Sequence, residues 1–374
     1  MNVPFANITQ DERETYIEGE SVEAGIRKNI DKVLDKKDFI LGAYVSEFET
    51  AFAKYCGAKH CVGVGNGLSA LELALIGIGI EKGDEVITVA NTFNATVAAI
   101  AKLGAKVKLV DANYQDSNMD LSQLKSAISK NTKAIMPVHL YGQIVEMDKL
   151  EEIAQDIPIV EDACQAHGAV YNGRKAGGFG TAGCFSFYPG KNLGAYGDGG
   201  AIVTNSDRLA EFLKKTRNYG QTKKYCHDIR PDNSRLDTIQ AAVLVEKLKV
   251  LDRWNSMRME NSDIYRENLS GIEEIKIPSE RKRGEHIYHL FVIKAEKRDE
   301  LESYLSGKGI QTGKHYPVPI HMQECFYNLG YKKGDFPASE KLSDSILTLP
   351  MFPTLKKEEI EHTARSLKEF YFGS

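Results

Sequence analysis

The sequence predicts an α/β protein with a large domain, built around a mostly parallel sheet of about seven strands, and a small α/β domain at the C-terminus. Short runs that are apolar throughout alternate with helical segments, which is typical of strands buried on both faces of a parallel sheet. The chain has 374 residues, more than a single hydrophobic core usually accommodates. We therefore expect two domains.

The N-terminal segment is predicted to be helical, because apolar residues recur at helical spacing from Ser21 to Leu34 and from Val45 to Tyr55. The apolar runs that follow predict strands at Cys61–Val64, Val86–Val89, Val107–Val110, Ala134–Val138, Ile157–Val160, Cys184–Phe187 and Ala201–Thr204. Helices are predicted between them at Ser69–Ile78, Asn94–Leu103, Leu121–Ile128 and Met147–Ala154. This alternation indicates parallel strands joined by helical crossovers.

The C-terminal third begins with one long helical pattern, from Leu236 to Trp254. After it we expect a strand, a helix, a strand and a final helix, at Ile287–Ile293, Asp299–Ser306, Gln311–Tyr316 and Lys357–Phe370 respectively. The predicted domain boundary lies near residue 250. Residues 1–250 then form the large domain, with the N-terminal helical segment, and residues 251–374 form the small one.

Composition excludes several classes of protein. The chain is 42% hydrophobic and 27% charged, which is typical of globular proteins. Its net charge of -4 gives no indication of a nucleic-acid partner. The six cysteines show no metal-binding spacing, and neither a signal peptide nor a membrane span is recognisable. We expect a cytoplasmic protein with reduced thiols, without a metal, a nucleic-acid partner or a membrane anchor.

A glycine-rich turn, Gly63–Ser69, connects a predicted strand to a predicted helix. Glycines allow backbone N–H groups to approach a phosphate, and a helix N-terminus favours negative charge. The spacing is GxGxG, whereas a dinucleotide site has GxGxxG. A tight turn without any ligand fits this segment equally well.

An acidic pair, Glu161 and Asp162, directly follows the apolar run Ile157–Val160. An acid at the end of a strand often caps the next helix. A carboxylate can also pair with the nitrogen of a pyridine ring and keep that ring protonated, so that it withdraws electrons from a bound substrate. Both interpretations stay open on these residues alone.

A lysine, Lys191, lies in the glycine-rich segment Phe185–Gly200 after a predicted strand. A lysine that forms a Schiff base must lose its proton, which burial and nearby positive charge promote. Ser186 on that strand could donate a hydrogen bond to a phosphate. Phe93 follows another strand and could stack on a planar ring or belong to the core.

These motifs together resemble the DegT/DnrJ/EryC1/StrS family of nucleotide-sugar aminotransferases. The residues that carry the resemblance are Gly65-Asn-Gly67, Thr92-Phe93, Glu161-Asp162-Ala163, Gln165-Ala-His-Gly168, Lys191-Asn192 and Gly197-Asp-Gly-Gly200. The resemblance covers almost the whole chain in order. It implies fold type I of the enzymes dependent on pyridoxal 5'-phosphate (PLP), the aspartate aminotransferase-like fold. It also implies a homodimer with active sites at the subunit interface.

The resemblance implies roles for individual residues. Lys191 would bind PLP and shuttle a proton, and Asp162 would pair with the pyridine nitrogen. Gln165 would contact the ring hydroxyl, and Phe93 would stack on the ring. The implied phosphate contacts are the backbone N–H groups of Gly67 and Leu68, the hydroxyl of Ser186, and Asn233, which would reach across from the other subunit.

Three further features resemble the subgroup that aminates C3 of dTDP-3-keto-6-deoxyhexoses with glutamate as donor. They are Gly65-Asn-Gly-Leu68, Arg217-Asn-Tyr-Gly220 with Lys224, Tyr225 and His227, and His315–Gln323. By this likeness, Tyr188, His315 and Tyr316 would contact the hexose. Relatives acting on 4-keto sugars more often have a Ser-Gly-Thr phosphate turn. The chain departs from the subgroup at Ser69 and at Ile229–Asp232.

Two other classes of function compete with transamination. A dinucleotide-dependent oxidoreductase would explain the glycine turn and the parallel sheet, but not Lys191, Asp162 or the Gly197–Gly200 loop. A non-catalytic regulator could retain the fold and bind PLP without turnover. Loss of the lysine would favour a regulator, and the lysine is present.

Overall fold

The computed structural model describes residues 1–223, 225–281 and 283–373. Lys224, part of one subgroup-like motif, lies outside these residues. The helices are α1 Ile8–Glu14, α2 Val22–Lys36, α3 Ala43–Cys56, α4 Gly67–Gly77, α5 Asn94–Lys102, α6 Leu121–Ala127, α7 Met147–Ala154, α8 Asp207–Thr216, α9 Thr238–Leu248, α10 Leu251–Leu269, α11 Arg298–Gly307, α12 Pro337–Ser345 and α13 Lys357–Phe372. The strands are β1 Tyr16–Ile17, β2 Glu20–Ser21, β3 His60–Val64, β4 Glu85–Val89, β5 Lys106–Val110, β6 Thr132–Ile135, β7 Val160–Asp162, β8 Val170–Tyr171, β9 Arg174–Lys175, β10 Ala182–Ser186, β11 Gly200–Thr204, β12 Gln221–Lys223, β13 Cys226–His227, β14 Ile275–Lys276, β15 Gly284–Glu285, β16 Phe291–Ala295 and β17 Ile346–Leu349.

Within the described residues, the central sheet has seven strands in the order β3-β11-β10-β7-β6-β4-β5. Two parallel bridges, Ile135 to Ile159 and Val138 to Asp162, join its four-stranded and three-stranded parts. The pairs are parallel except those of β11, which is antiparallel to β3 and β10. The predicted fold class, with a mostly parallel sheet of about seven strands, is confirmed.

Both faces of this sheet are buried, which explains why its strands are apolar throughout. Neighbouring residues of one strand belong to different cores. Val86 packs with α4 and α5, and Ile87 packs with the helices on the opposite face. Cys184 and Phe185 divide in the same way. The sheet is therefore rigid, and residues at its strand ends are held in fixed positions.

The single long helix predicted from Leu236 to Trp254 is wrong, because two helices, α9 and α10, occupy this region. The break lies at Val250, whose backbone angles of φ -116° and ψ 2° are not helical. The two helices serve different surfaces: α9 packs on α2 and α3, and α10 packs on α13. One straight helix could not follow both directions.

The C-terminal region contains an antiparallel sheet in the order β14-β16-β17. The strand predicted at Gln311–Tyr316 is wrong, since only Gly313 in this segment bridges a strand, at Thr348 of β17. The proposed division near residue 250 stays a prediction. N-terminal Val3 bridges Ile310 and lies in the same core as the C-terminal helices.

Among the described residues, no helix combines the length and apolar character needed to cross a membrane. The same residues contain no cluster of three His, Cys, Asp or Glu side chains that could hold a metal ion. The six cysteines are unpaired.

Candidate active site

The candidate site lies where strands of the central sheet end. Asp162 is the last residue of β7 and Ser186 the last of β10, while Phe93 immediately precedes α5, the helix that follows β4. Because these three strands run parallel, their carboxyl ends share one edge of the sheet. The structure thus brings together side chains that are far apart in the sequence.

The Asp162 carboxylate is buried, with 5% of the residue exposed. One oxygen accepts a hydrogen bond from Thr96 Oγ1 at 2.7 Å, and the other accepts one from the Cys164 backbone N–H at 3.2 Å. Thr96 is itself hydrogen-bonded to Thr92 at 2.8 Å. Residues 163–169 form turns, so the alternative of a helix cap is wrong. Asp162 is an oriented acceptor for a group at the sheet edge.

Lys191 lies in the loop between β10 and β11, where its backbone N–H donates to Tyr188 O at 2.8 Å. The side chain is half-buried. Burial lowers the pKa of Lys191 below its ordinary value, while the nearby Cys164 and Asp162 act in the opposite direction. An amine that gives up its proton more easily is the form a nucleophile requires.

The glycine turn brings the N-terminus of α4 against the end of β10. Helix α4 begins at Gly67 itself, and the Asn66 side chain caps it by accepting the Ser69 N–H at 2.8 Å. A Cβ at Gly67 would lie only 2.6 Å from Ser186 Cβ. Glycine therefore lets the first turn of α4 face the Ser186 hydroxyl directly. Unpaired N–H groups at a helix start beside a hydroxyl form a suitable cradle for a phosphate.

An aromatic pair borders the same edge. Phe93 is 54% exposed, so the alternative of a core position is wrong, and its ring centroid lies 5.4 Å from that of Tyr316. Gln165 is held at both ends: its Nε2 donates to Tyr316 Oη at 3.0 Å, and its Oε1 accepts the Tyr141 N–H at 2.7 Å. Tyr188 is 60% exposed beside Lys191.

His315 lies next to this pair and is hydrogen-bonded through Nδ1 to Thr348 Oγ1 at 2.8 Å. Burial, together with the positive charge of Lys191, lowers the pKa of His315 to about 4. The ring is therefore neutral at physiological pH. A neutral imidazole fixed through one nitrogen can offer the other to a hydroxyl of a ligand.

Asn233, the residue predicted to contact the phosphate of the other subunit, has no contact with this edge of the sheet in the described part of the chain. Its side chain is exposed, and its backbone bridges Asn218. The neighbouring Ser234 is buried and accepts the Gly65 N–H at 3.1 Å. Asn233 thus projects outward from a segment attached to the glycine turn.

Comparison with known proteins decides between the competing classes. A sequence model of the DegT/DnrJ/EryC1/StrS aminotransferase family matches residues 20–368. The chain belongs to this family. A pleiotropic regulatory protein of Geobacillus stearothermophilus is 44% identical, over 99% of each chain. The dTDP-3-amino-3,4,6-trideoxy-alpha-D-glucose transaminase of Streptomyces venezuelae is 42% identical, over 91% of this chain and 90% of the relative. The crystal structure of S. venezuelae DesV has a TM-score of 0.95 at 40% identity, over 99% of this chain and 98% of that one.

Membership of the DegT/DnrJ/EryC1/StrS family confirms the predictions of an aminotransferase and of PLP as its cofactor. The alternative of a dinucleotide-dependent oxidoreductase is wrong. The residues also fit PLP chemically: Asp162 provides an oriented carboxylate, Lys191 provides an amine of lowered pKa, and the lack of a side chain at Gly67 opens the start of α4 to a phosphate.

A buried polar network behind Lys191 was not predicted from the sequence. Asn192 Nδ2 donates to Asn255 Oδ1 at 2.8 Å, and Asn255 Nδ2 donates to His167 O at 2.8 Å. His167 Nε2 in turn lies 2.9 Å from Ser186 O. Asn192 and His167 stand inside motifs singled out from the sequence. Asn255 lies on α10, where no local pattern marks it, and was therefore missed.

Glu161, the neighbour of Asp162, has a structural role. Its carboxylate is fully buried and accepts the backbone N–H groups of Gly177, Phe179 and Gly180 at 2.6–2.8 Å. It also lies 3.0 Å from His139 Nε2. Its hydrogen bonds therefore stabilise the turn before β10. Of the two adjacent acids, Glu161 stabilises the fold and Asp162 belongs to the candidate site.

Proposed function

We propose that this protein transfers the amino group of glutamate to C3 of a dTDP-linked 3-keto-6-deoxyhexose, with PLP bound at Lys191. The observation that carries the proposal is the position of Lys191. Its half-buried amine has a lowered pKa and lies within the electrostatic influence of Asp162. The phosphate cradle at Gly67 opens on the same edge of the sheet.

PLP, when bound, supplies an electron sink for the carbon that exchanges its proton. Lys191 Nζ removes and returns that proton, because its lowered pKa lets the amine cycle between neutral and charged forms. The Asp162 carboxylate holds the pyridine nitrogen in its protonated form. Gln165 and Phe93 orient the ring, one through its amide and the other through its exposed face.

Phosphate binding completes the cofactor site. Within one subunit, the phosphate would be bound by the backbone N–H groups of Gly67 and Leu68 and by the Ser186 hydroxyl. Asn233 would contact the phosphate bound in the other subunit, so that the working unit would be a homodimer with shared sites. The outward projection of Asn233 from Ser234, which is fixed to Gly65, supports this arrangement. We place the protein in the cytoplasm.

The sugar assignment has support from the relatives and from the chain itself. The S. venezuelae relative that is 42% identical is named as a 3-amino sugar transaminase. In this chain, the exposed Tyr188 and the neutral, anchored His315 offer polar groups next to Lys191, and Tyr316 borders them. We assign these three side chains to the hexose.

A regulatory function is the second candidate, because the relative that is 44% identical is named as a pleiotropic regulatory protein. Lys191 and its lowered pKa favour catalysis, since a protein that only binds PLP has no need of a proton-transferring amine. Binding and turnover can therefore be measured separately.

The test is an assay of the purified protein, loaded with PLP, with glutamate and either a 3-keto or a 4-keto dTDP-6-deoxyhexose. We expect amination of the 3-keto sugar, with the amine at C3 in the NMR spectrum of the product. Amination of the 4-keto sugar alone would overturn the regiochemistry. Binding of PLP, fixed on Lys191 by borohydride, without amination of either sugar would favour the regulator.

A further inference from the structure

The N-terminal segment, residues 3–15, is bound to two parts of the site that are separated in the sequence. At its start, the Val3 N–H donates to Gly309 O at 2.9 Å, and the Gln311 N–H donates to Val3 O at 3.0 Å. The Phe5 N–H donates to Gln311 Oε1 at 3.0 Å. The segment thus lies beside Gly309 and Gln311, which precede His315 in the sequence.

Phe5 packs against the ring of His315. The two rings are stacked, with centroids 5.7 Å apart and planes inclined by 19°. Gly313 leaves room for this stack, because a Cβ there would lie 3.0 Å from His315 Cε1 and 3.4 Å from Phe5 Cε2. The stacking and the Thr348 hydrogen bond together fix the plane of the imidazole.

Glu12, further along the segment, is bound to the loop that carries Lys191. The residue is 4% exposed, and its carboxylate accepts the Tyr196 hydroxyl. Its other oxygen lies 2.5 Å from Lys247 Nζ, which is buried on α9. Lys247 Nζ also donates to Gly194 O at 2.8 Å. Both Gly194 and Tyr196 belong to the loop between β10 and β11.

Burying an ion pair costs free energy, because both charges lose their hydration. The loop is tightly folded here, because the backbone of Gly194 packs against that of Pro189. A Cβ at Gly194 would lie only 2.3 Å from Pro189 O. Glu12 and Lys247 therefore hold in one position the tightly folded loop that carries Lys191.

We propose that residues 3–15 are a positioning element of the active site, in which Phe5 sets the ring of His315 and Glu12, through Lys247 and Tyr196, sets the loop of Lys191. The Phe5 part rests on the proposed contact between His315 and the sugar. The two residues then affect different steps. Lys191 acts with both substrates, whereas His315 contacts only the sugar.

The first test is amide hydrogen exchange in the protein without cofactor. We expect Glu12→Gln to raise exchange in residues 188–200 at least about threefold and to leave residues 311–317 unchanged. Phe5→Ala should do the reverse. Glu211→Gln and Phe370→Ala are the controls, because Glu211 pairs with Lys215 on the surface of α8 and Phe370 packs on Tyr304, away from the site. A general rise in exchange in both variants would overturn the proposal.

The second test follows the two half-reactions by single-turnover absorbance of the bound cofactor. We expect Phe5→Ala to slow the sugar half-reaction about tenfold without changing the glutamate half-reaction, and Phe5→Tyr to restore it. Glu12→Gln should slow both halves alike. If Glu12→Gln fails to fold, Tyr196→Phe, which removes one bond to the same carboxylate, replaces it. Equal effects of Phe5→Ala on both halves would overturn the positioning role. If the wild type aminates no sugar, the proposed function fails, and the exchange data still decide the positioning element.

Discussion

The two sides of the active site are built differently. On the cofactor side, Asp162 and Gln165 are 5% exposed, and their side chains already have hydrogen-bonding partners within the chain. On the proposed sugar side, Tyr188 is 60% exposed. The cofactor side is thus organised before any ligand binds, which lowers the entropic cost of binding. Tyr188 leaves its hydroxyl for the ligand, so a change there should alter specificity without disturbing PLP.

Removal of the Lys191 amine should have the largest effect. We expect Lys191→Ala to fold normally and to lose turnover, because proton transfer alone contributes about 10²–10⁴-fold to a rate. Borohydride should no longer fix the cofactor to the protein in this variant. Lys191→Arg keeps the positive charge and should be equally inactive. Undiminished transamination in either variant would refute the assignment of Lys191.

Asp162→Asn should have the second-largest effect on turnover. The substitution keeps the shape but removes the charge that holds the ring nitrogen protonated, and losing one partner of a buried charge pair costs about 2–5 kcal/mol. We expect kcat to fall by at least about thirtyfold, with both half-reactions affected. Thr96→Val, which removes a hydrogen bond to Asp162 but keeps its charge, should have a smaller effect. A near-normal rate in Asp162→Asn would mean that another residue protonates the ring.

Gly67→Ala tests whether the cofactor side is preformed. The added methyl group would lie 2.6 Å from Ser186 Cβ, and overpacking of this kind costs about 1–3 kcal/mol. We expect PLP affinity, measured by titration of visible absorbance, to fall by about 10- to 100-fold. Gly307→Ala is the control, since a Cβ there meets no atom within 4 Å. Equal PLP affinities in the two variants would contradict the cradle.

Each side also contains a histidine that burial keeps neutral. The pKa of His167, behind the cofactor side, is lowered to about 3, and that of His315, on the sugar side, to about 4. The unfolded chain protonates these rings near pH 6.5, so stability falls as the pH drops below that value. We expect His167→Gln to reduce the loss of unfolding free energy between pH 6.5 and pH 5 by up to about 2 kcal/mol. His315→Gln should do so to a similar extent, because the folded-state pKa values of both rings lie below pH 5. Slopes equal to the wild type would show that folding does not change the pKa of either ring.

Tyr188→Phe should have the smallest effect and should be confined to the sugar side. Loss of one neutral hydrogen bond costs about 0.5–1.5 kcal/mol, so we expect KM for the sugar nucleotide to rise by up to about tenfold. The glutamate half-reaction should be unchanged. A change in the visible spectrum of bound PLP would place Tyr188 on the cofactor side instead.

The central sheet could be predicted from the sequence because burial on both faces makes its strands apolar throughout. The long helix and the strand at Gln311–Tyr316 were predicted wrongly for a related reason. An apolar pattern shows that a segment is buried but not which neighbour covers it. Strand β17 pairs along Ile346–Leu349 with β16, whereas the Gln311–Tyr316 segment pairs only at Gly313.

The candidate site was predictable where its residues stand in local motifs at strand ends, as Asp162 and Lys191 do. Asn255, Lys247 and Glu12 carry no such signal. Each contacts the site through residues distant in the sequence: Asn192 is 63 positions from Asn255, and Tyr196 is 184 positions from Glu12. Only the folded chain brings them together.

The position of β11 has a consequence for synthesis on the ribosome. Residues 60–64 of β3 pair with residues 200–204 of β11, about 140 positions later, and among the described strands no other pairs with β3. At about 5–20 residues per second, the apolar β3 remains without a partner for on the order of ten seconds. We expect the nascent chain to depend most on chaperones during this interval, since unpaired apolar strands aggregate readily.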